Sequence, residues 1–195
     1  IIIDQNKVIF INTLGDVSAL DIKSGNLLWQ TPTQTNLVYE YSFSLKNSDL
    51  VFSNDSIYFS NNRNEFFSID AKTGIINWKQ KINSNLRPTV IENLIISVSI
   101  EGYLILVGAE TGQIVRITNV FDRFKNKKGN IKPTGFIVAK DKIYLSLNNG
   151  RMIIINLEDG KSIEIIKISS NKISRPYVLN QNMFLVSNKS IHKIN

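Results

Sequence analysis

No cysteine occurs in the 195 residues of this chain, which excludes disulfides, thiolate catalysis and cysteine-ligated zinc or iron–sulfur sites. Histidine is nearly as scarce. His192 stands alone, so no histidine cluster can hold a metal, and its place in a β-rich run makes it a surface strand residue. Apolar residues fall in short runs such as VIFI and MIII, far below the roughly 20 that a membrane-crossing helix needs. The opening letters, IIIDQNKVIF, carry no positive leader, long apolar stretch or small-residue cleavage site. The expectation from them is a cytoplasmic protein or one whose signal has been removed. Walker sequences and dinucleotide-type glycine fingerprints are missing. So are sustained helical periods flanked by caps, and almost no helix is expected.

What is present suits a chain with a real core: 43% of residues are hydrophobic and 20% charged, which argues against disorder. The formal net charge of +7 sets up a modest positive field. A lysine-rich and asparagine-rich composition raises the charge without any anionic ligand, so the charge alone names no partner. The triplets NDS at Asn54–Ser56 and NKS at Asn188–Ser190 match glycosylation acceptors, as chance allows in so asparagine-rich a chain.

The dominant signal is a repeat. One tight turn is written four times: DIKSG at Asp21–Gly25, DAKTG at Asp70–Gly74, GAETG at Gly108–Gly112 and NLEDG at Asn156–Gly160. A second turn precedes each of those glycines by ten residues, at Gly15, Asn64, Gly102 and Gly150, whereas successive copies are 49, 38 and 48 residues apart. A fixed hairpin with variable connections, at a period of roughly 40 to 50 residues, marks propeller blades. The third copy reads as strands Thr89–Ile91, Leu94–Ser99, Tyr103–Gly108 and Gln113–Arg116, and the fourth as Phe136–Ala139, Lys142–Ser146, Arg151–Asn156 and Ser162–Lys167. The predicted fold is all-β, a propeller of four-stranded antiparallel blades.

Physical roles follow for the repeated residues. Gly25, Gly74, Gly112 and Gly160 supply the left-handed conformation that ends each turn. Asp21, Asp70 and Asn156 accept nearby backbone N–H groups and pin it. Trp29 and Trp78, four residues past Gly25 and Gly74, fill the wedge between neighbouring blades. Arg116 and Glu164 take that place in the third and fourth copies, so those junctions are expected to be weaker or polar.

Prolines in LRPT, IKPT and SRP open the first strands of later blades. The basic residues before them, Arg87, Lys132 and Arg175, are read as solvated loop charge, with a loose ring at the channel as the alternative. The implied blades are 1–48, 49–87, 88–132 and 133–175, with a partial fifth at 176–195. That last copy has the strands Tyr177–Asn180, Asn182–Val186 and Ser190–Ile194 and no closing tryptophan strand. The expectation is part of a larger ring rather than an irregular five-bladed closure. An open arc exposes apolar faces and strand edges, which invites association or completion by another chain.

One connection stands out as a candidate binding loop. FDRFKNKKGNIK, Phe121–Lys132, gathers Phe121, Arg123, Phe124, Lys125, Lys127, Lys128 and Lys132. Aromatics beside a basic cluster suit an acidic protein surface first, anionic lipid second and nucleic acid last. A hydrated loop anchored by Phe121 and Phe124 accounts for the same letters.

The pattern ALDxxxGxxxW at Ala19–Trp29, repeated as SIDAKTGIINW at Ser68–Trp78, resembles the repeat of pyrroloquinoline-quinone-type β-propellers. The likeness covers essentially the whole chain and is most specific in these two copies; the later copies keep the turn and lose the tryptophan. It implies a ring of about eight blades in a bacterial periplasm or envelope, closest in character to the non-enzymatic BamB-like scaffolds of outer-membrane β-barrel assembly. It does not imply the cofactor, because the signature is a packing device. A quinone dehydrogenase site needs convergent oxygen ligands for calcium and a base near the substrate. Asp4, Asp16, Asp55, Glu65, Glu92, Glu101 and Asp141 all fall in turns or strand starts, and the adjacent cysteines of many such enzymes are missing. The leading expectation is therefore a non-catalytic interaction platform with a protein partner and no cofactor, catalytic residue or metal. The alternatives are a fragment of a quinone-dependent alcohol or sugar dehydrogenase and a ligand-sensing domain of a larger receptor.

Overall fold

The computed structural model describes residues 1–33, 45–124 and 130–194, and every regular element among them is a β-strand. The first sheet contains β1 (Ile2–Asp4), β2 (Lys7–Ile11), β3 (Val17–Asp21) and β4 (Leu27–Thr31). The second contains β5 (Val51–Ser53), β6 (Ser56–Asn61), β7 (Glu65–Asp70) and β8 (Ile76–Gln80), and the third β9 (Thr89–Ile91), β10 (Leu94–Val98), β11 (Tyr103–Gly108) and β12 (Ile114–Asn119). β13 (Pro133–Ala139), β14 (Lys142–Leu147), β15 (Arg151–Asn156) and β16 (Ser162–Lys167) make the fourth. The fifth has three strands, β17 (Tyr177–Leu179), β18 (Asn182–Ser187) and β19 (Ser190–Ile194). Strands neighbour one another in chain order within every sheet. This is an all-β propeller with four complete blades and one partial blade.

Local chemistry sets the hairpins. Asn54 and Asp55 between β5 and β6, and Asn180 and Gln181 between β17 and β18, all have positive φ, the geometry of a type I′ turn whose twist matches that of the strands it joins. The pairing of third and fourth strands carries the same irregularity in three sheets, with a register shift at Ala19/Leu20, Ser68/Ile69 and Ile154/Ile155. Such bulges increase local twist, and here each lies beside the repeated Asp/Asn–Gly turn.

Two boundaries differ from the sequence expectation. β12 continues past Arg116 to Asn119. β13 begins at Pro133 instead of Phe136, with a register shift between Pro133 and Gly135. Proline is tolerated at the first position of a strand, so strand geometry extends over Pro133–Gly135, of which only Thr134 is a β-former.

The chain divides into two compact units. The first comprises Ile1–Ile95 and Val107–Ile114, the second Ile96–Leu106 and Val115–Asn195. The first has a core of Ile9, Val17, Leu50, Ile57, Phe59, Phe67 and Ile69, with Trp29 packed against it. Phe59 and Phe67 stack with centroids 5.1 Å apart. In the second unit Met152, Ile173 and Leu185 are fully buried, flanked by Tyr144, Ile166, Met183 and Ile194.

Candidate interaction surfaces

The repeated turn is built alike wherever its residues allow. Oδ1 of Asp21 accepts from the backbone N–H of Lys23 at 3.1 Å and of Ser24 at 2.7 Å, and from the Ser24 hydroxyl at 2.8 Å. Asp70 does the same with Lys72 and Thr73 at 3.0, 2.7 and 2.7 Å. In the fourth copy Asn156 Oδ1 accepts from the N–H groups of Glu158 and Asp159. Hydrogen bonding to the charged form favours it. The backbone bond from Ser24 is the main cause that holds Asp21 below the ordinary aspartate value, and the Thr73 hydroxyl is the main cause at Asp70. The turn glycines 25, 74, 112 and 160 all have positive φ.

These turns are receptors. The indole of Trp29 donates to Ala71 O at 3.3 Å, and that of Trp78 donates to Ala109 O at 2.8 Å. Each ring lies on the next turn glycine. A Cβ at Gly74 would come within 2.7 Å of Trp29, and one at Gly112 within 2.6 Å of Trp78. Thr31, two residues beyond Trp29, donates its hydroxyl to Gly74 O at 2.5 Å. Phe66 meets Trp78 edge-on at 5.6 Å, so the ring is held from both sides.

Arg116 reproduces this contact with different chemistry. Its guanidinium donates to Leu157 O at 2.8 Å and to Glu158 O. Leu157 follows Asn156 as Ala71 follows Asp70 and Ala109 follows Gly108, so the residue after the turn's first position offers its carbonyl in all three cases. Thr118, two residues beyond Arg116, sits where a Gly160 Cβ would fall, at 2.7 Å. The polar junction expected from Arg116 is thus formed. Glu164 is exposed. The connection from β16 to β17 is instead tied to both sheets, to the fourth through Thr134 Oγ1 donating to Ile173 O at 2.7 Å and Arg175 Nε donating to Phe136 O at 3.1 Å, and to the fifth through Ser187 Oγ and Ser169 Oγ at 2.8 Å.

Within the second unit a cleft of about 680 Å³ opens between the first hairpin of the fourth sheet and the fifth sheet, with Lys140, Asp141 and Tyr144 on one side and Val178, Met183 and Ile194 on the other. Tyr177, Val178 and Leu179 of β17 are exposed, as is Ile191 of β19.

The basic loop is described only in part; Lys125, Lys127 and Lys128 lie outside the described residues. Phe121 is 1% exposed and Phe124 is buried, their rings edge to face at 5.9 Å. Phe121 packs on Gly102, where an added Cβ would strike the ring. Both aromatics therefore point into the second unit, while Arg123 and Lys132 are exposed. Of the prolines' basic neighbours, Arg87 and Lys132 are exposed, but the stem of Arg175 packs against Gly135. Its partner Gly135 offered a signal: a glycine in a strand marks close backbone approach. Thr31 and Thr118 were likewise readable as a residue type repeated two places past Trp29 and Arg116.

Among the described residues no three His, Asp or Glu side chains converge as metal ligands. Asp4 pairs with Lys7 at 3.5 Å and Glu65 with Lys79 at 2.7 Å. His192 is half-buried on β19, opposite Leu185. No helix among the described residues is long and apolar enough to cross a membrane.

A propeller whose blades are tied by an indole-on-glycine contact defines the class, and comparison with known proteins gives the family. The family profile described as "Outer membrane protein assembly factor BamB" matches residues 1–118. The chain belongs to that family of PQQ-type propellers. An outer membrane protein assembly factor BamB of Legionella pneumophila (strain Paris) is 23% identical over 152 residues, covering 76% of this chain and 35% of that protein. The crystal structure of BamB from Moraxella catarrhalis superposes with a TM-score of 0.75 at 16% identity, over 99% of this chain and 55% of that one. The Cps50 (Swd1) β-propeller domain of Myceliophteria thermophila gives a TM-score of 0.71 at 11% identity, over 94% of this chain and 59% of that one. These likenesses show the fold. The chain spans about a third of its curated relative and little more than half of these solved propellers.

Proposed function

We propose that this chain is a non-catalytic interaction platform of the BamB type, acting in the bacterial envelope in the assembly of outer-membrane β-barrel proteins. The observation that carries the reading is the family match over residues 1–118. The physical rationale is a rigid set of blades that presents loops and strand edges to a folded or extended partner. The blades belong to a larger ring, of about eight if it follows the family habit. Arg123 and Lys132, with Lys125, Lys127 and Lys128, are proposed to face an acidic surface of the protein partner, while Phe121 and Phe124 anchor the loop from inside.

The test is direct binding to the purified periplasmic domain of a β-barrel assembly protein, by calorimetry, with Arg123→Glu and Lys132→Glu as the loop probes. Binding that weakens about tenfold or more with the reversed charges supports both parts of the proposal. Binding indifferent to them removes the loop from the interface, and no binding overturns the platform reading. In a parallel assay with pyrroloquinoline quinone, calcium ions, alcohols or glucose and a redox dye, no turnover is expected. Dye reduction above background would return the chain to the dehydrogenase branch.

A further inference from the structure

Positive charge is unevenly divided between the two ends of the fourth and fifth sheets. One end gathers the β14–β15 turn, the last residue of β16, the connection to β17 and the β18–β19 turn. Arg151, Lys167, Lys172 and Lys189 stand there, all exposed. Backbone and serine contacts hold the four positions close. Arg151 and Lys167 are cross-strand partners, the Ser169 N–H donates to Gly150 O at 3.1 Å, and Ser187 Oγ lies 2.8 Å from Ser169 Oγ. Ile173 bridges to Ser187, which seats Lys172 beside the turn that carries Lys189. At the other end Lys140, Lys142 and Lys161 are balanced by Asp141, Glu158 and Asp159, and Lys161 pairs with Asp159 at 3.6 Å. The sequence enforces this asymmetry: no acidic residue follows Glu164, and none lies between Asp141 and Glu158.

We infer that this basic end of the fourth and fifth sheets is a docking surface for an anionic phospholipid membrane. The inference goes beyond the proposed contact of the neighbouring loop with a protein and does not rest on it. Three of the four cations are lysines, and the segments that carry them, 148–151, 167–175 and 187–190, contain no aromatic, methionine or acidic residue. Protein interfaces are depleted in lysine and enriched in aromatic residues and methionine, and single-stranded nucleic acid needs rings on which its bases stack. A lipid surface asks for neither. Its phosphates attract hydrated lysines without a pocket, strengthening binding about fivefold for each basic residue near the surface. Ser170, Asn171 and Asn188, all exposed, add small polar groups suited to the headgroup layer.

The test is co-sedimentation of the chain with vesicles of phosphatidylethanolamine and phosphatidylglycerol, against vesicles of phosphatidylcholine alone. Binding to the anionic vesicles only is expected at low ionic strength, with its loss at about 1 M salt, where the screening length falls to about 3 Å. Lys172→Gln combined with Lys189→Gln should weaken it about 25-fold. Lys140→Gln combined with Lys161→Gln removes the same charge from the other end and should leave it nearly unchanged. Should circular dichroism show the first pair unfolded, Arg151→Gln alone reads the same surface, with a loss of about fivefold expected. No binding to the anionic vesicles, equal binding to phosphatidylcholine, or equal losses from the two pairs would overturn the inference. So would a Lys172→Gln, Lys189→Gln variant that keeps its vesicle affinity and loses calorimetric affinity for the assembly-protein domain, a result that assigns the surface to a protein. The two readings fail separately, because vesicle binding is measured without the protein partner and partner binding without lipid.

Discussion

The indole nitrogen of Trp78 lies 2.8 Å from the carbonyl oxygen of Ala109, a residue on the following blade and one position past the turn's first residue, Gly108. The contact joins a large apolar surface to a directional bond, and its ring also touches Gly112 and Phe66. Replacing Trp78 with alanine removes all of these and leaves a buried carbonyl without its donor. The ring is half-buried, so the loss belongs at the lower end of large-to-small values, about 3 kcal/mol. Trp78→Phe keeps part of the packing and loses the bond, and should fall between. Urea denaturation followed by far-ultraviolet circular dichroism measures both.

Gly112 and Gly25 share a sign of φ, at +69° and +71°, and differ in what surrounds them. Alanine at Gly25 should cost only the left-handed backbone term, about 1 kcal/mol. At Gly112 it meets the same term and the Trp78 ring 2.6 Å from the new methyl, so the cost should at least double. A double-mutant cycle separates the two contributions. Gly112→Ala should cost less once Trp78 is alanine, while Gly25→Ala should be indifferent to Trp78.

Arg116 hands two successive carbonyls, Leu157 O and Glu158 O, to one guanidinium. An ammonium group cannot span both in the same plane, so Arg116→Lys is expected to cost about 1 kcal/mol. Because the acceptors are peptide carbonyls, that cost should be nearly the same at low and high salt, unlike that of a surface ion pair. Parallel denaturation curves at two ionic strengths decide the point.

Much of this architecture was legible in the sequence because each blade repeats the same local solution. The spacing of Gly15 and Gly25, or of Gly102 and Gly112, sets the turns independently of packing, and β-formers between them set the strands. The Trp29 and Trp78 contacts followed from their positions. The role of Arg116 was readable as polar but not as a guanidinium on two carbonyls, since no spacing encodes which acceptor lies opposite. The basic loop was the harder case. FDRF next to lysines carries the same letters whether the rings face a partner or the core, and only the close approach of Phe121 to Gly102 places them inside. Arg175 looked like loop charge because its partner Gly135 is 40 residues away in sequence, beyond the reach of any local pattern.

Asp70 ties the best-formed turn to pH. The Thr73 hydroxyl foremost, then the N–H groups of Thr73 and Lys72 and the positive charge of Lys7, hold its carboxyl below the ordinary value, against a smaller opposing effect of burial. Its folded-state pKa is therefore lower than its unfolded one, of about 3.9. A depressed acid contributes stability that is fully present above the unfolded value and is lost as pH falls through the folded one. Asn156 shows that an amide fits the same turn. Asp70→Asn should therefore remain folded at pH 7 with a small loss of stability, and the gap between variant and parent should narrow as the pH drops below about 4. Urea midpoints at pH 7, 4 and 3 test this, and a gap that widens toward acid would show that the charge of Asp70 opposes the fold.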